Sequence, residues 1–508
     1  MAKICLCLTA KTLAENLEIL NKYRKYTDIA ELRVDCLDPN ERLLIRSFPE
    51  QAELPVILTI RRTSDGGYYA GGEGARVNLF ARGLAYADAN RRMNFAYVDL
   101  EEDLDVPSLE EAARTFGTRI IRSWHSVSGK TGDIPAKIRG MKCLGSDLVK
   151  IAVTANSASD VLNVLRASRE CPNHDKIFLC MGKYGVYSRI LAEQFGSFLT
   201  YASAPDESNM ISGAEGQIDV RNLNELYRFH SISKSTKIYG VAGNPQLVPE
   251  SPHFFNSIFT MEDLDAVFVP FSITTISDFM ELADELNISG LSLTSHYKED
   301  VLPFLSGHTA QVASSGACNT ICKGENGWSG TNTDVQVFSD LLTEFTGRQN
   351  LKKRNVTLIG AGSMARIIAS ELYKRNARVL VLNRSIHMAR DLAARYNFAW
   401  GGLDIRGIEM VEKFRDIIIE ATSVGTYEND SGEPVDPLEL YAFSGREAVI
   451  DLAWGPEPTR FLARAAEAGC RTTDGYDMLS RQAQYQYAQF MGRDIPPQLL
   501  SRVQYGRS

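Results

Sequence analysis

The sequence holds no run close to the ~18 apolar residues that a membrane-spanning helix needs. Its short apolar stretch at the N-terminus, Met1 to Thr12, lacks the small-residue cleavage site of a secretory leader, so the chain reads as cytoplasmic. Basic clusters are absent as well. With a formal net charge of -8, binding that rests on neutralising nucleic-acid phosphates is excluded, and no membrane partner is expected. The nine cysteines include Cys5-x-Cys7 and Cys318-x3-Cys322, and their spacing fits neither a zinc site nor a disulfide framework. No metal is expected. Internal repeats and low-complexity tracts are also missing, which excludes solenoids and fibres.

What remains is a globular composition, 44% hydrophobic and 23% charged, over 508 residues. That length exceeds one ordinary hydrophobic core and implies two or three domains. The first ~225 residues carry eight short apolar or alternating runs separated by helix-like stretches. They are Ile4–Leu8, Ala30–Asp35, Val56–Arg61, Ala96–Glu101, Arg119–His125, Asp147–Val153, Ile177–Met181 and Phe198–Ala202. Eight strands alternating with helices predict a closed parallel (β/α)8 TIM barrel over residues 1–226. A polar Ser/Lys-rich stretch at 227–237 reads as a linker.

Alternation along these strands puts charge inside the barrel. In Asp147-Leu-Val-Lys-Ile-Ala-Val153, the residues Val149, Ile151 and Val153 share the outward face and Lys150 points inward. By the same parity Glu31, Arg33, Asp35, Arg61, Asp99 and Glu101 face in. Unpaired buried ions cost several kcal/mol each, so a polar ligand site at the strand ends explains them better than a structural core. A lysine enclosed there loses solvation, which lowers its pKa and frees a neutral amine for a Schiff base. His125, at the end of another strand, is the natural proton carrier.

Glu31-Leu-Arg-Val-Asp35, Thr59-Ile-Arg61, Asp65-Gly-Gly67, Val98-Asp-Leu-Glu101, His125, Val149-Lys-Ile-Ala152, Met181, Ser188-Arg189 and Gly216-Gln217 together resemble type I 3-dehydroquinate dehydratase. The resemblance implies an imine between Lys150 and the ketone of 3-dehydroquinate, with His125 as general acid and base. It also implies that Arg189 and Gln217 hold the substrate carboxylate and that Glu31, Arg33 and Arg61 bind its hydroxyls. Asp65 stands where that family has Glu, and Gly213 and Glu215 replace a Ser and a Pro of its substrate-covering loop.

In the second half, Asn355-Val-Thr-Leu-Ile-Gly-Ala-Gly-Ser-Met-Ala-Arg366 runs from a strand through a Gly-x-Gly-x-x-Ala turn into a helix. Such a turn receives a pyrophosphate on backbone N–H groups. Gly360, Ala361, Gly362, Ser363, Met364 and Ala365 form it. About 20 residues on, Asn383-Arg384-Ser385 ends the next strand where an acidic residue would select NAD, so the cofactor expected is NADP. A Rossmann NADP-binding domain is placed at 343–469, and a second lobe at 238–342 with 470–508, giving a two-lobed α/β dehydrogenase.

Leu293-Thr-Ser-His-Tyr-Lys-Glu299, Gly316-Ala-Cys-Asn319, Gly330-Thr-Asn-Thr-Asp334, Ala421-Thr-Ser-Val-Gly425, Asp451-Leu-Ala-Trp454 and Gly475-Tyr-Asp-Met-Leu-Ser-Arg-Gln-Ala483 resemble shikimate dehydrogenase. The resemblance makes Lys298 and Asp334 the catalytic pair, lets Ser251, Thr294, Asn319 and Gln482 bind substrate, and adds Thr422 and Gly475 to the cofactor residues. Pro249, Glu250, His296 and Trp454 depart from the family pattern. The implied substrates are 3-dehydroquinate and 3-dehydroshikimate, successive in one pathway. Two rival readings stay open on sequence: a dehydrogenase half retuned to quinate or another shikimate-like acid, and a metabolite sensor without catalysis. The oligomeric state is not legible.

Overall fold

In a computed structural model the described residues are all except 86–89, 130, 172–174, 206–215, 246–249, 295–296, 423–434, 454, 456 and 504–508. The chain divides into two compact units, one of residues 1–247 and 259–288 and the other of 248–258 and 289–508.

Eight parallel strands open the first unit: β1 (Lys3–Leu8), β2 (Ile29–Arg33), β3 (Val56–Thr59), β4 (Tyr97–Glu101), β5 (Arg119–Ser126), β6 (Leu148–Thr154), β7 (Lys176–Met181) and β8 (Leu199–Ser203). Each matches one of the eight expected runs. The two-residue β9 (Ile218–Asp219) extends the sheet beyond β8, and the ladder order is β7-β6-β5-β4-β3-β2-β1-β8-β9. Helices follow the strands, several fixed at their starts by side chains. Thr12 with Glu15 and Ser157 with Asp160 form capping boxes that satisfy free N–H groups of the first turn.

The barrel closes without a ladder between β7 and β8. The two strands meet at their N-terminal ends, where Phe198 N donates to Lys176 O at 2.6 Å. Beside it the Ser197 hydroxyl accepts from Phe178 N and donates to Phe178 O. Further along, the buried Ser188 hydroxyl takes the place of a strand partner, accepting from Cys180 N at 2.9 Å and donating to Gly185 O at 2.6 Å. An unsatisfied buried N–H would cost about 1–3 kcal/mol.

Inward-facing residues change character along the strands. Near the starts, Cys5, Ile29, Ile57, Tyr97, Ile121, Leu148, Ile177 and Leu199 pack into one apolar cluster. Toward the carboxyl ends the same parity brings Glu31, Thr59, Arg61, Asp99, Glu101, Ser123, His125 and Lys150, so the polar site lies at the end of the barrel where such sites belong. Arg122, of opposite parity, is buried on the outer side and is bound by Leu104 O and Glu110.

Two further strands belong to this unit, β10 (Lys237–Gly243) and β11 (Ala266–Ser272), paired in parallel. The barrel packs on them directly: the rings of Tyr187 and Phe271 are 5.0 Å apart. Arg166 and Arg169 of the barrel helix Ala158–Glu170 bind Glu281 and Glu285 of the helix Ile276–Glu285.

In the second unit, β12 (Ile288–Leu293), β13 (Leu305–His308), β14 (Thr320–Gly324) and β15 (Gly327–Thr331) pair as β12-β14-β15-β13. A six-stranded parallel sheet follows, formed by β16 (Asn355–Ile359), β17 (Arg378–Asn383), β18 (Ala399–Gly402), β19 (Ile417–Glu420), β20 (Ala448–Asp451) and β21 (Arg471–Thr473). Its order, β18-β17-β16-β19-β20-β21, is that of a doubly wound dinucleotide fold with the switch point between β16 and β19.

Ser188→Ala removes the hydroxyl that accepts from Cys180 N. It is expected to cost about 1–3 kcal/mol and to speed hydrogen exchange along β7 at graded urea concentrations. Unchanged protection of β7 would show that the seam does not depend on that hydroxyl.

Candidate active sites

The barrel end encloses a cavity of about 310 Å³ lined by Glu31, Arg33, Arg61, His125, Lys150, Arg189 and Gln217, all seven expected from sequence. Lys150 is buried and is not isolated there. Its ammonium lies 2.8 Å from Asp99 Oδ2, and it faces the Tyr201 ring at 4.2 Å. Asp99 also holds Arg61 at 2.8 Å and accepts from the Ser123 hydroxyl at 2.6 Å. Arg61 in turn binds Glu101 at 2.7 Å, and Glu101 binds the fully buried Arg76 at 2.7 Å. Every charge in this chain has an opposite neighbour. Although burial opposes it, the charge of Arg61 and Lys150 holds the Asp99 carboxyl well below the usual carboxylate range.

Glu31 accepts from Thr59 Oγ1 at 2.8 Å and from the Cys7 thiol at 3.2 Å, and Gln217 Nε2 donates to Cys7 Sγ at 3.3 Å. Arg33 pairs bidentately with Asp35. Cys7, Thr59, Ser123 and Tyr201 were not anticipated as site residues, though they share the inward parity that identified Lys150. Asp65, the shorter replacement for a glutamate, pairs with Arg62 at 2.7 Å. Gly213 and Glu215 lie outside the described residues.

Four groups around the cavity lack hydrogen-bond partners among the described residues. They are His125 Nδ1, Arg189 Nε and Nη2, Gln217 Oε1 and the Tyr201 hydroxyl. Arg189 is 1% exposed, and burial pushes it down to about 10. A buried guanidinium with two free donor atoms is a receptor for an anion. His125 is pushed well below its ordinary 6.5 by burial and by the charges of Arg61 and Lys150. It is therefore neutral at pH 7 and able to accept a proton.

The second unit assembles another pair, half-buried Lys298 with buried Asp334. Lys298, on the short helix Tyr297–Asp300, lies 2.6 Å from Asp334 Oδ2. Asp334 stands in the first turn of the helix Thr333–Thr346, whose N-terminus favours its negative charge. Its Oδ1 accepts from Asn319 Nδ2 and from Gln482 Nε2, both at 2.7 Å. Asn319 also donates to Thr333 Oγ1 and accepts from Thr333 N. Four expected residues, Lys298, Asp334, Asn319 and Gln482, thus meet at one carboxylate. Thr294 follows β12, and Ser251 is buried at the start of the helix Ser251–Met261. Glu250 Oε2, just before it, is buried without a partner among the described residues. Pro249, His296 and Trp454 lie outside them.

At the end of β16, Gly360 has φ +117, and a Cβ there would lie 3.0 Å from Thr422 Cγ2. Glycine is needed for both reasons. Gly362 caps the helix Ser363–Lys374, and a Cβ on it would meet nothing within 4 Å, leaving open space before the free N–H groups of Ser363 and Met364. Ala361 and Ala365 are buried. After β17, Asn383 Nδ2 donates to Ser385 O, and Arg384 is exposed with no ion pair among the described residues. Gly475 begins the helix Gly475–Met491 so close to Leu452 O that a Cβ would approach within 2.4 Å. The donor set suits a dinucleotide.

A barrel with a buried lysine and a half-buried histidine at one cavity, followed by a dinucleotide fold with a Lys/Asp pair, defines a chain with two enzymatic sites. Comparisons name them. Residues 4–234 match type I 3-dehydroquinase, 241–321 the shikimate dehydrogenase substrate binding domain, and 342–453 shikimate / quinate 5-dehydrogenase. The chain is 28% identical over 499 residues to the chloroplastic bifunctional 3-dehydroquinate dehydratase/shikimate dehydrogenase of Arabidopsis thaliana, covering 94% of this chain and 79% of that protein. Its second half is 33% identical over 272 residues to shikimate dehydrogenase (NADP(+)) of Pyrococcus abyssi, covering 53% of this chain and 98% of the relative. Among solved structures, the dehydroquinate dehydratase and shikimate dehydrogenase of S. pombe AroM aligns with a TM-score of 0.43 at 20% identity, covering 99% and 98% of the two chains. The chain belongs to the bifunctional 3-dehydroquinate dehydratase/shikimate dehydrogenase family of the shikimate pathway, a lyase joined to a nicotinamide-dependent oxidoreductase.

The depressed His125 ties stability to pH. The unfolded chain takes up a proton at His125 near pH 6.5 and the folded barrel does not, so stability falls as pH drops below that value, by up to about 1.4 kcal/mol per unit. His125→Gln is expected to show a shallower loss of denaturation midpoint between pH 6.5 and 5. An equal slope in both proteins would mean that folded His125 is charged.

Proposed function

We propose that Lys150 forms a Schiff base with the ketone of 3-dehydroquinate and that His125 moves the protons of its dehydration. The observation that carries this reading is the enclosure of Lys150, neutral His125 and the unpaired Arg189 in one cavity. Lys150 passes its ammonium proton to neutral His125 and attacks the carbonyl carbon as the amine; the same proton returns to the carbonyl oxygen, which leaves as water, and the iminium that remains withdraws electrons from the neighbouring C–H bond. His125 takes the proton of that C–H bond as base and returns it to the departing hydroxyl as acid. Hydrolysis of the conjugated imine releases 3-dehydroshikimate and restores Lys150. Arg189 and Gln217 hold the substrate carboxylate, and Glu31, Arg33 and Arg61 address its hydroxyls.

In the second half, Lys298 donates a proton to the ketone oxygen of 3-dehydroshikimate, and Asp334 holds the lysine in place and shares its proton. Asn319 and Gln482 fix the Asp334 carboxylate, with Ser251 and Thr294 completing the substrate set. NADPH, when bound, supplies the hydride. The glycine turn from Gly360 to Ala365 receives its pyrophosphate, Arg384 with Asn383 and Ser385 its 2′-phosphate, and Thr422 and Gly475 border its other end. The similarity of this half to shikimate dehydrogenase (NADP(+)) of Pyrococcus abyssi supports NADP.

Purified protein given 3-dehydroquinate is expected to form the enone, and to consume NADPH once it is added. Lys150→Ala should abolish only the first step, and borohydride should trap a reduced adduct on Lys150 during turnover. Lys298→Ala should slow only the second, by about 10²–10⁴-fold. Enone formation without NADPH loss would mean that the dehydrogenase half takes a different acid. Arg384→Ala should raise KM for NADPH about tenfold while leaving KM for NADH nearly unchanged. Equal effects on both would remove Arg384 from the 2′-phosphate.

A further inference from the structure

Glu420 ends β19 at the switch point of the dinucleotide sheet, opposite Ile359 of β16 on one side and Asp451 of β20 on the other. It is 0% exposed. Its Oε1 accepts from Thr422 N at 2.6 Å and from the Thr422 hydroxyl, and Ala421 N donates to Ile359 O at 2.9 Å. These bonds press Ala421 and Thr422 against Gly360, where an added Cβ would lie within 3.2 Å of both. Glu420 Oε2 has no donor among the described residues.

The surroundings disfavour a negative charge here. Ile418 and Val449 share its face of the sheet beneath Leu438, Tyr441 and Phe461. The charged neighbours acting on Glu420 are the carboxyls of Asp451 and Asp436. Asp451 has Asp474 beside it and binds Thr459 Oγ1 at 2.5 Å. The nearby guanidinium of Arg464 is engaged by Asp436 at 2.9 Å and by the carbonyls of Leu438, Glu439 and Tyr441. Arg460 binds Glu439. No cation among the described residues pairs with Glu420.

We propose that Glu420 is a positioning residue for the dinucleotide, an uncharged acid that clamps the Ala421–Thr422 turn against the glycine turn of the cofactor site. This rests on the cofactor reading above. Burial, with the charges of Asp451 and Asp436 adding to it, pushes the Glu420 carboxyl up to about 8. Below that pH the neutral acid fits its apolar surroundings and its free oxygen imposes little cost. Above it a carboxylate sits beside two others in low dielectric, and the turn must open to relieve it.

The test is a titration of the full-length chain with NADPH, followed by its fluorescence, from pH 7.5 to 9.5. The native chain is expected to lose affinity about tenfold or more across that range. Glu420→Gln keeps the acceptor oxygen and cannot ionise, so the alkaline loss should vanish. Glu420→Ala, which lacks the acceptor, should bind more weakly at pH 7.5 while dehydratase activity reports an intact barrel. Infrared difference spectra of the native chain should show a protonated carboxyl band that disappears toward pH 9.5 and is missing from Glu420→Gln. An unchanged pH profile in Glu420→Gln, or a native chain without that band, overturns the proposal and leaves the cofactor reading standing. A native chain that fails to bind NADPH at any of these pH values overturns both.

Discussion

Among the described residues, most charge that enters the interior does so in compensated groups, and that constraint shapes both sites. In the barrel, Lys150, Asp99, Arg61, Glu101 and Arg76 form an alternating chain of opposite charges, closed by the hydroxyl of Ser123. A single uncompensated ion there would cost several kcal/mol, a large share of a domain's net stability. The second unit solves the same problem with fewer charges, giving Asp334 one ammonium, two amide donors and a helix N-terminus. In each case the central charged group is held by neighbours that are themselves bound, which keeps its rotamer fixed.

The groups left unpaired stand out against that background. Arg189, His125, Gln217 and Tyr201 retain polar atoms without partners among the described residues at one cavity, beside the ion-paired Lys150, Asp99 and Arg61. Binding energy is available there because the cost of desolvating these groups has already been met in folding. An anionic ligand supplies the missing partner without stripping water from the receptor.

Much of this was legible in sequence because strand parity is a strong signal. Alternation placed Lys150, Glu31, Arg33 and Arg61 on the inner face, and the Gly360–Ala365 turn announced a dinucleotide fold. Parity could not say which inward residues touch. The Asp99 contact to Lys150 depends on strand stagger, and Cys7 meets Gln217 only because distant strands curl together. Gln482 reaches Asp334 across 148 residues of sequence; the family resemblance marked Gln482 as a substrate-binding residue but did not indicate this contact, and local spacing could not. Glu420 carries no signal in the sequence, since a glutamate at a strand end usually faces water; in the fold it is fully buried, on a sheet face whose apolar cluster includes Leu438, Tyr441 and Phe461 from later in the chain. Likewise the polar stretch at 227–237 marked a change of composition, yet β10, β11 and the helix Ile276–Glu285 pack in one compact unit with the barrel, through Tyr187 against Phe271 and the Arg166 and Arg169 ion pairs.

The incomplete seam between β7 and β8 gives the barrel a weak stave. The short helix Val186–Ile190 spans it, carrying Ser188 toward β7 and Arg189 toward β8, where Nη1 donates to Tyr201 O at 3.4 Å. An anion gripped by the remaining donors of Arg189 would therefore also tighten the closure of the barrel. Occupancy and rigidity would then be linked by mass action: any anion that binds the closed seam more tightly than an opened one stabilises the wall in proportion to its occupancy.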